Sequence, residues 1–90
     1  EEVIFRVQVR ATKELLAESD PFVKRYKELT IEQTDLGWHR YMVGKHYSYK
    51  EALYRQIEMK KDGYRDAYVV AYKNGKRVPV REVIDPLPRQ

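Results

Sequence analysis

Few residues in this chain can do covalent or acid–base chemistry. His39 and His46 are the two histidines, and they form no metal-binding pattern of the His-Glu-x-x-His kind. Cysteine is absent, which removes disulfides, thiol nucleophiles and cysteine-based zinc sites together. Ser19 and Ser48 are the only serines, and the four glycines are scattered, so no phosphate-cradling loop is encoded. The carboxylate pairs Glu1-Glu2 and Glu32/Asp35 sit at a terminus or beside a turn, without a pocket to raise the pKa of one member. No catalysis, metal or cofactor is expected. What remains is recognition chemistry, carried by arginine, glutamine and aromatic side chains, and its use depends on the elements that hold them.

The segment Val3–Arg10 alternates as a half-buried strand, with Phe5, Val7 and Val9 on one face and Arg6, Gln8 and Arg10 on the other. Lys13–Ala17 has helix-forming residues but is interrupted by Ser19-Asp20-Pro21. Asp20 is a good N-cap and Pro21 suits a first helical position, which predicts a short helix from Pro21 to Glu28 with Phe22, Tyr26 and Leu29 on one face. Leu29–Thr34 then alternates as a strand with Leu29 and Ile31 inward, Asp35-Leu36-Gly37 turns, and Trp38–Val43 returns as the second arm of a hairpin.

Ser48 followed three residues later by Glu51 is a capping box and starts the best-marked helix. Ala52, Leu53, Ile57 and Lys60 follow at helical spacing, with Tyr49, Gln56 and Met59 at the edges, and Asp62-Gly63 ends it. Ala67–Tyr72 reads as a strand. Lys73-Asn74-Gly75-Lys76 reads as a type I′ hairpin turn, and Arg77–Ile84 as a last strand kept at the edge by Pro79. Residues 3–84 therefore make one domain, and 85–90 a tail. The expected fold class is α+β: a ferredoxin-like, RNP-like βαββαβ antiparallel sheet with helices on one face, plus an extra C-terminal edge strand. The helix-free sheet face is the natural binding surface.

Ninety residues, 42% of them hydrophobic, allow one real but small core, with a stability of about 5 kcal/mol. The net charge of +4, from 18 Lys and Arg against 14 Asp and Glu, is mildly basic with both signs interleaved. It is compatible with a polyanion without demanding one. No apolar run approaches the roughly 20 residues of a membrane span, so no membrane insertion by this domain is expected. No signal-peptide pattern precedes the first strand, as expected of a module taken from a larger protein.

Three stretches in order resemble a known family. Phe5-Arg6-Val7-Gln8-Val9 is similar to the aromatic-Arg-Val-Gln-Val opening strand of SPOR (sporulation-related repeat) domains. Tyr41-Met42-Val43-Gly44 and Tyr47-Ser48-Tyr49-Lys50-Glu51-Ala52 resemble their strand ending in Val-Gly and their capped helix carrying Glu-Ala. Gly63–Tyr72, followed by Lys73-Asn74-Gly75-Lys76-Arg77, resembles the version found in Bacteroidetes-type envelope proteins. The likeness covers nearly all of residues 3–78, with Arg10 standing where the family often has glycine. Val7-Gln8-Val9 also echoes Tyr41-Met42-Val43, as in a domain of two βαβ-like repeats.

The resemblance implies a non-catalytic module that binds septal peptidoglycan through glycan strands stripped of their stem peptides, as part of a larger protein of the periplasm or cell envelope. The implied glycan-binding residues are Arg6, Gln8 and Arg10 on the first strand. On the third they are Trp38, Arg40 and Met42, with Gly44 beside them, and on the fourth Tyr68 and Tyr72, with Val70 between them. Ala67, Val69 and Ala71 would pack under the helices. Such residues suit N-acetyl sugars: an amide both donates and accepts, guanidinium forks match carboxylates, and aromatic rings cover sugar C–H faces. Trp38 can equally be a packing anchor.

Two other classes remain beside it. An RNA-recognition motif also binds single strands on a βαββαβ sheet, but its Gly-Phe-Gly-Phe-type stretch is missing where Arg40-Tyr41-Met42-Val43 stands, and no nucleic acid is expected. A protein–protein adaptor using the edge strand is the third.

Overall fold

Alternating β-branched and aromatic residues suit a pleated surface, and they build the central strand. In the computed structural model, which describes residues 2–84, β1 spans Val3–Thr12. The other strands are β2 (Thr30–Gln33), β3 (His39–His46), β4 (Tyr68–Lys73) and β5 (Lys76–Val78). The helices are α1 (Pro21–Arg25) and α2 (Tyr49–Lys61). Together they form an α+β fold, a curled five-stranded antiparallel sheet in the order β2-β3-β1-β4-β5 with both helices packed on one face.

The helix-covered face holds the core. Phe5 and Val7 of β1, Tyr41 and Val43 of β3, and Val69 and Ala71 of β4 meet Phe22 of α1 and Ala52 and Met59 of α2. Aromatic edges fill the space between elements: the Phe22 ring lies 5.5–5.7 Å from those of Tyr26, Tyr41 and Tyr64. Tyr41 is completely buried, and its hydroxyl is satisfied by Thr12 Oγ1 at 2.8 Å and the Leu16 amide at 3.0 Å. These bonds hold the run Lys13–Ala17 as irregular chain, so the helix-forming composition there is overridden.

Both predicted caps form. Asp20 accepts from the Phe22 amide at 2.8 Å, and Ser48 Oγ from the Glu51 amide at 3.1 Å. The first helix stops at Arg25 rather than Glu28, because Tyr26 turns to extended backbone (φ −112°) and lays its ring against Phe22 and Tyr64. The helix α2 ends in paired reverse bonds, Tyr64 to Met59 and Gly63 to Lys60, which need the left-handed φ of 108° at Gly63. Its phase differs from the expected one. Met59 is buried and Ile57 is exposed: Gln56 accepts the Val69 amide at 3.0 Å, and the side turned to the core carries Ala52 and Met59, with Tyr49 and Leu53 partly buried beside them.

Two irregularities in the β1–β3 ladder decide which side chains reach which face. Gln8 pairs with Met42 and Arg10 with Tyr41, so Val9 and Arg10 together oppose one step of β3. That bulge reverses the alternation. Arg10, expected beside Arg6 and Gln8, instead lies on the helix side with its guanidinium 5.2 Å over the Phe22 ring, and Ala11 takes the other face opposite Arg40. The second irregularity falls between Phe5 and Val7, where β3 carries Gly44 at φ 82°. A Cβ at Gly44 would stand 2.5 Å from His46 Nε2.

The remaining differences are at the edges. Ile31 pairs with Tyr41 yet stays 42% exposed, because β2 borders the sheet beyond the core cluster. The strand expected over Arg77–Ile84 is the three-residue β5. Pro79, which has no amide to donate, ends it, and a 3-10 turn over Val80–Glu82 folds Val80, Val83 and Ile84 onto the core. The expected tail, 85–90, lies outside the described residues. No helix among the described residues is long and apolar enough to cross a membrane.

Candidate ligand-binding face

Strand alternation sends a second set of side chains to the face without helices. From β1 come Ile4, Arg6 and Gln8, and directly opposite Gln8 stand Met42 on one side and Tyr68 on the other. Arg6 pairs with Val70 and Ile4 with Tyr72, while Arg40 of β3 faces Glu32 of β2. The two-residue Asn74-Gly75 turn pairs Lys73 with Lys76, which places Arg77 across from Tyr72 on this same face.

The face is concave. Glu32 and Arg77 lie on the two opposite edge strands, whose backbones would be about 19 Å apart in a flat sheet. That is too far for their side chains to meet. Yet Arg77 Nη1 and Glu32 Oε1 are 3.3 Å apart, so the sheet curls until its edges meet over its centre.

Arg77 is the hub of the resulting network. Its Nη1 also donates to Gln8 Oε1 at 3.0 Å and its Nη2 to the Tyr68 hydroxyl at 3.1 Å, while the Tyr72 hydroxyl donates to Glu32 Oε1 at 3.0 Å. Arg6 Nη1 is anchored on the Gly44 carbonyl at 2.8 Å, so the glycine bulge supplies its acceptor. Beneath these polar groups lie Met42 and Val70, 0% and 3% exposed although no helix covers them.

Beside the network opens a cleft of about 290 Å³, with Ile4 and Met42 at its floor and Arg6, Thr30, Glu32 and Tyr72 around it. Burial, followed by the neighbouring Glu32 carboxylate, pushes the Tyr72 hydroxyl up to about 12, so it remains a donor across the physiological range. Arg40 has no ion-pair partner among the described residues. The face thus presents the guanidinium groups of Arg6, Arg40 and Arg77 against the carboxylate of Glu32, with Glu2 also lining the cleft.

Of the expected glycan-binding residues, Arg6, Gln8, Arg40, Tyr68 and Tyr72 share this face. Met42 is on it as buried floor rather than exposed contact. Arg10 is on the other side of the sheet. Trp38 precedes β3 at the far end, 41% exposed, beside a shallow depression with Ala11, Leu36 and Arg40, and the Lys13 ammonium lies 5.2 Å over its ring. Both histidines lie on the helix side of β3, His39 opposite Thr12 and His46 opposite Phe5. His39 Nδ1 and His46 Nε2 are buried without hydrogen-bond partners.

No family model, curated protein or solved structure matches the chain.

Two residues of the network were not singled out as binding residues from sequence. Arg77 was legible, since a two-residue turn after Lys73 fixes its position across from Tyr72. Glu32 was not, because nothing local to β2 signals that a side chain from the opposite edge will reach it.

Proposed function

We propose that this chain is a non-catalytic glycan-binding module, a SPOR-like domain that receives peptidoglycan strands stripped of stem peptides on its concave face. The observation that carries the reading is the polar hub of Arg77, Gln8 and Tyr68 set over the apolar Met42 and Val70. A strand of N-acetyl sugars alternates apolar ring faces with amides and hydroxyls; the half-exposed Tyr68 ring answers the first, and the amide, phenol and guanidinium groups around it the second, while Met42 and Val70 support them from below. Arg6 and Tyr72 serve the cleft end of the groove, while Arg40 and Trp38 extend it toward the β2–β3 turn.

The order β2-β3-β1-β4, with a helix after β1 and another after β3, supports a ferredoxin-like split βαβ arrangement with β5 added at the edge. The concave, helix-free surface is where such an arrangement leaves room for an extended polymer. Against the RNA reading stands β3, where Arg40-Tyr41-Met42-Val43 replaces the Gly-Phe-Gly-Phe-type stretch of an RNA-recognition motif. The place of action that follows is the periplasm or cell envelope, as one module of a larger protein. Few groups are fully desolvated on so open a surface, so the affinity for a short strand is expected to be weak.

Retention on purified peptidoglycan sacculi, with and without amidase treatment, tests the proposal. Stronger retention after stripping is the expected result. Failure to bind either preparation would refute the glycan reading.

A further inference from the structure

Glu32 occupies the place where an anionic ligand would be received. Its Oε1 lies 3.3 Å from Arg77 Nη1 and 3.0 Å from the Tyr72 hydroxyl, and Arg40 stands directly across the ladder from it. The guanidinium best placed to take a carboxylate is therefore already holding one. Gln8 and Tyr68 also grip Arg77, so its position does not depend on Glu32 alone. The ion pair is mostly but not fully buried, with side-chain exposures of 24% for Arg77 and 33% for Glu32, and Glu32 reaches water through the cleft. An incoming carboxylate that makes the same contacts can take its place, because one charge-assisted pair is exchanged for another and Glu32 returns to water. Glu32 is also a wall of the cleft beside Arg6, so its departure would widen that cleft.

We infer that Glu32 is a specificity-determining residue, an internal stand-in for a ligand carboxylate. In the free protein it closes the concave face across Arg77. On binding it is exchanged for a carboxylate carried by the saccharide, and the freed Arg77 makes a charge-assisted contact with the ligand instead. The inference rests on the glycan reading above and adds the ligand class: a saccharide with its own free carboxylate. Removal of a stem peptide creates such a group, because the lactyl carbonyl changes from a neutral amide to a carboxylate. A neutral saccharide has nothing to offer Arg77 and leaves the Glu32 pair in place.

Three probes test this: stripped glycan strands, the same strands after carbodiimide amidation, and peptide-bearing sacculi. Each is bound to the unmodified protein, Glu32→Gln, Arg77→Gln and the double variant, with thermal melts to confirm that all four are folded. The unmodified protein is expected to prefer stripped over amidated strands, and Glu32→Gln to enlarge that preference roughly fivefold, the size of one partly exposed ion pair. The enlargement should vanish when Arg77 is also replaced, since no contact is left to release. An enlargement that persists without Arg77 would mean that Glu32 only repels the anion, which overturns the exchange. So would a preference in Glu32→Gln equal to that of the unmodified protein. Stronger binding to peptide-bearing sacculi than to stripped strands would overturn the lactyl group as the source of the carboxylate. Binding to none of the probes sinks the glycan reading, and the exchange with it.

Discussion

The two faces of this sheet are built from the same strands but held in opposite ways. On the helix side, Phe22, Tyr26, Tyr41 and Tyr64 meet edge to face, and rings and methyls fill the space between elements. On the concave side Met42 and Val70 are just as well hidden, but what hides them is a web of Arg77, Gln8, Tyr68, Glu32 and Tyr72. The first cover is apolar and close-packed, and removing a piece of it leaves a cavity. The second is polar and half-exposed, and its bonds can be traded for bonds to a ligand at little cost. Burial of a sheet residue is therefore no sign that its face is committed to the core. What covers the residue decides that.

The strongest way to break this contrast is at Phe22. Phe22→Ala should cost about 3–5 kcal/mol in denaturant unfolding, most or all of the stability expected of a 90-residue domain. A loss under about 1 kcal/mol would mean that the helix side is as loosely held as the concave one.

Alkaline titration sharpens the contrast, because Tyr26 on the helix side and Tyr72 on the concave side both have a raised hydroxyl pKa. Tyr26 is pushed up by burial and then by Tyr64, and Tyr72 by burial and then by Glu32. Both are neutral-form stabilisations. Their contribution is fully present below the unfolded tyrosine value of about 10 and is lost as pH rises through the folded values. For Tyr72 that window runs from 10 to about 12. Ultraviolet absorbance of tyrosinate should show Tyr26 and Tyr72 ionising late. Glu32→Gln should bring Tyr72 forward and leave Tyr26 in place; a shift of both would show that the two faces are coupled.

The smallest stability effect is expected on the concave side. Gln8→Ala combined with Arg40→Ala should change stability by about 1 kcal/mol or less while abolishing sacculus retention. A large fall in the melting temperature would place these residues among the core supports instead.

The sequence made the framework readable where the signal was local. Asp20, Ser48, Gly63 and the Asn74-Gly75 turn each fix an element end through chemistry within a few residues. The alternation of Phe5–Gln8 divided the first strand into two faces, whereas Tyr68–Tyr72 is apolar on both sides and only packing shows Val69 and Ala71 turned to the core. What escaped were features fixed by distant partners. The bulge at Val9, which carries Arg10 to the helix side, depends on pairing with β3. The phase of α2 depends on packing against the sheet, where Ala52 and Met59 meet the core. The reach of Glu32 to Arg77 depends on the curl of all five strands. For the same reason, most of the candidate site was legible as a list of residues but not as a closed network.

Amide chemical-shift mapping with stripped glycan fragments tests most directly which side of the sheet meets the ligand. Perturbations are expected along Arg6–Gln8, Tyr68–Tyr72, Glu32 and Arg77, with the α2 residues Tyr54 and Ile57 unmoved. Perturbations centred on α2, with the Arg77 network silent at saturating fragment, would contradict the account.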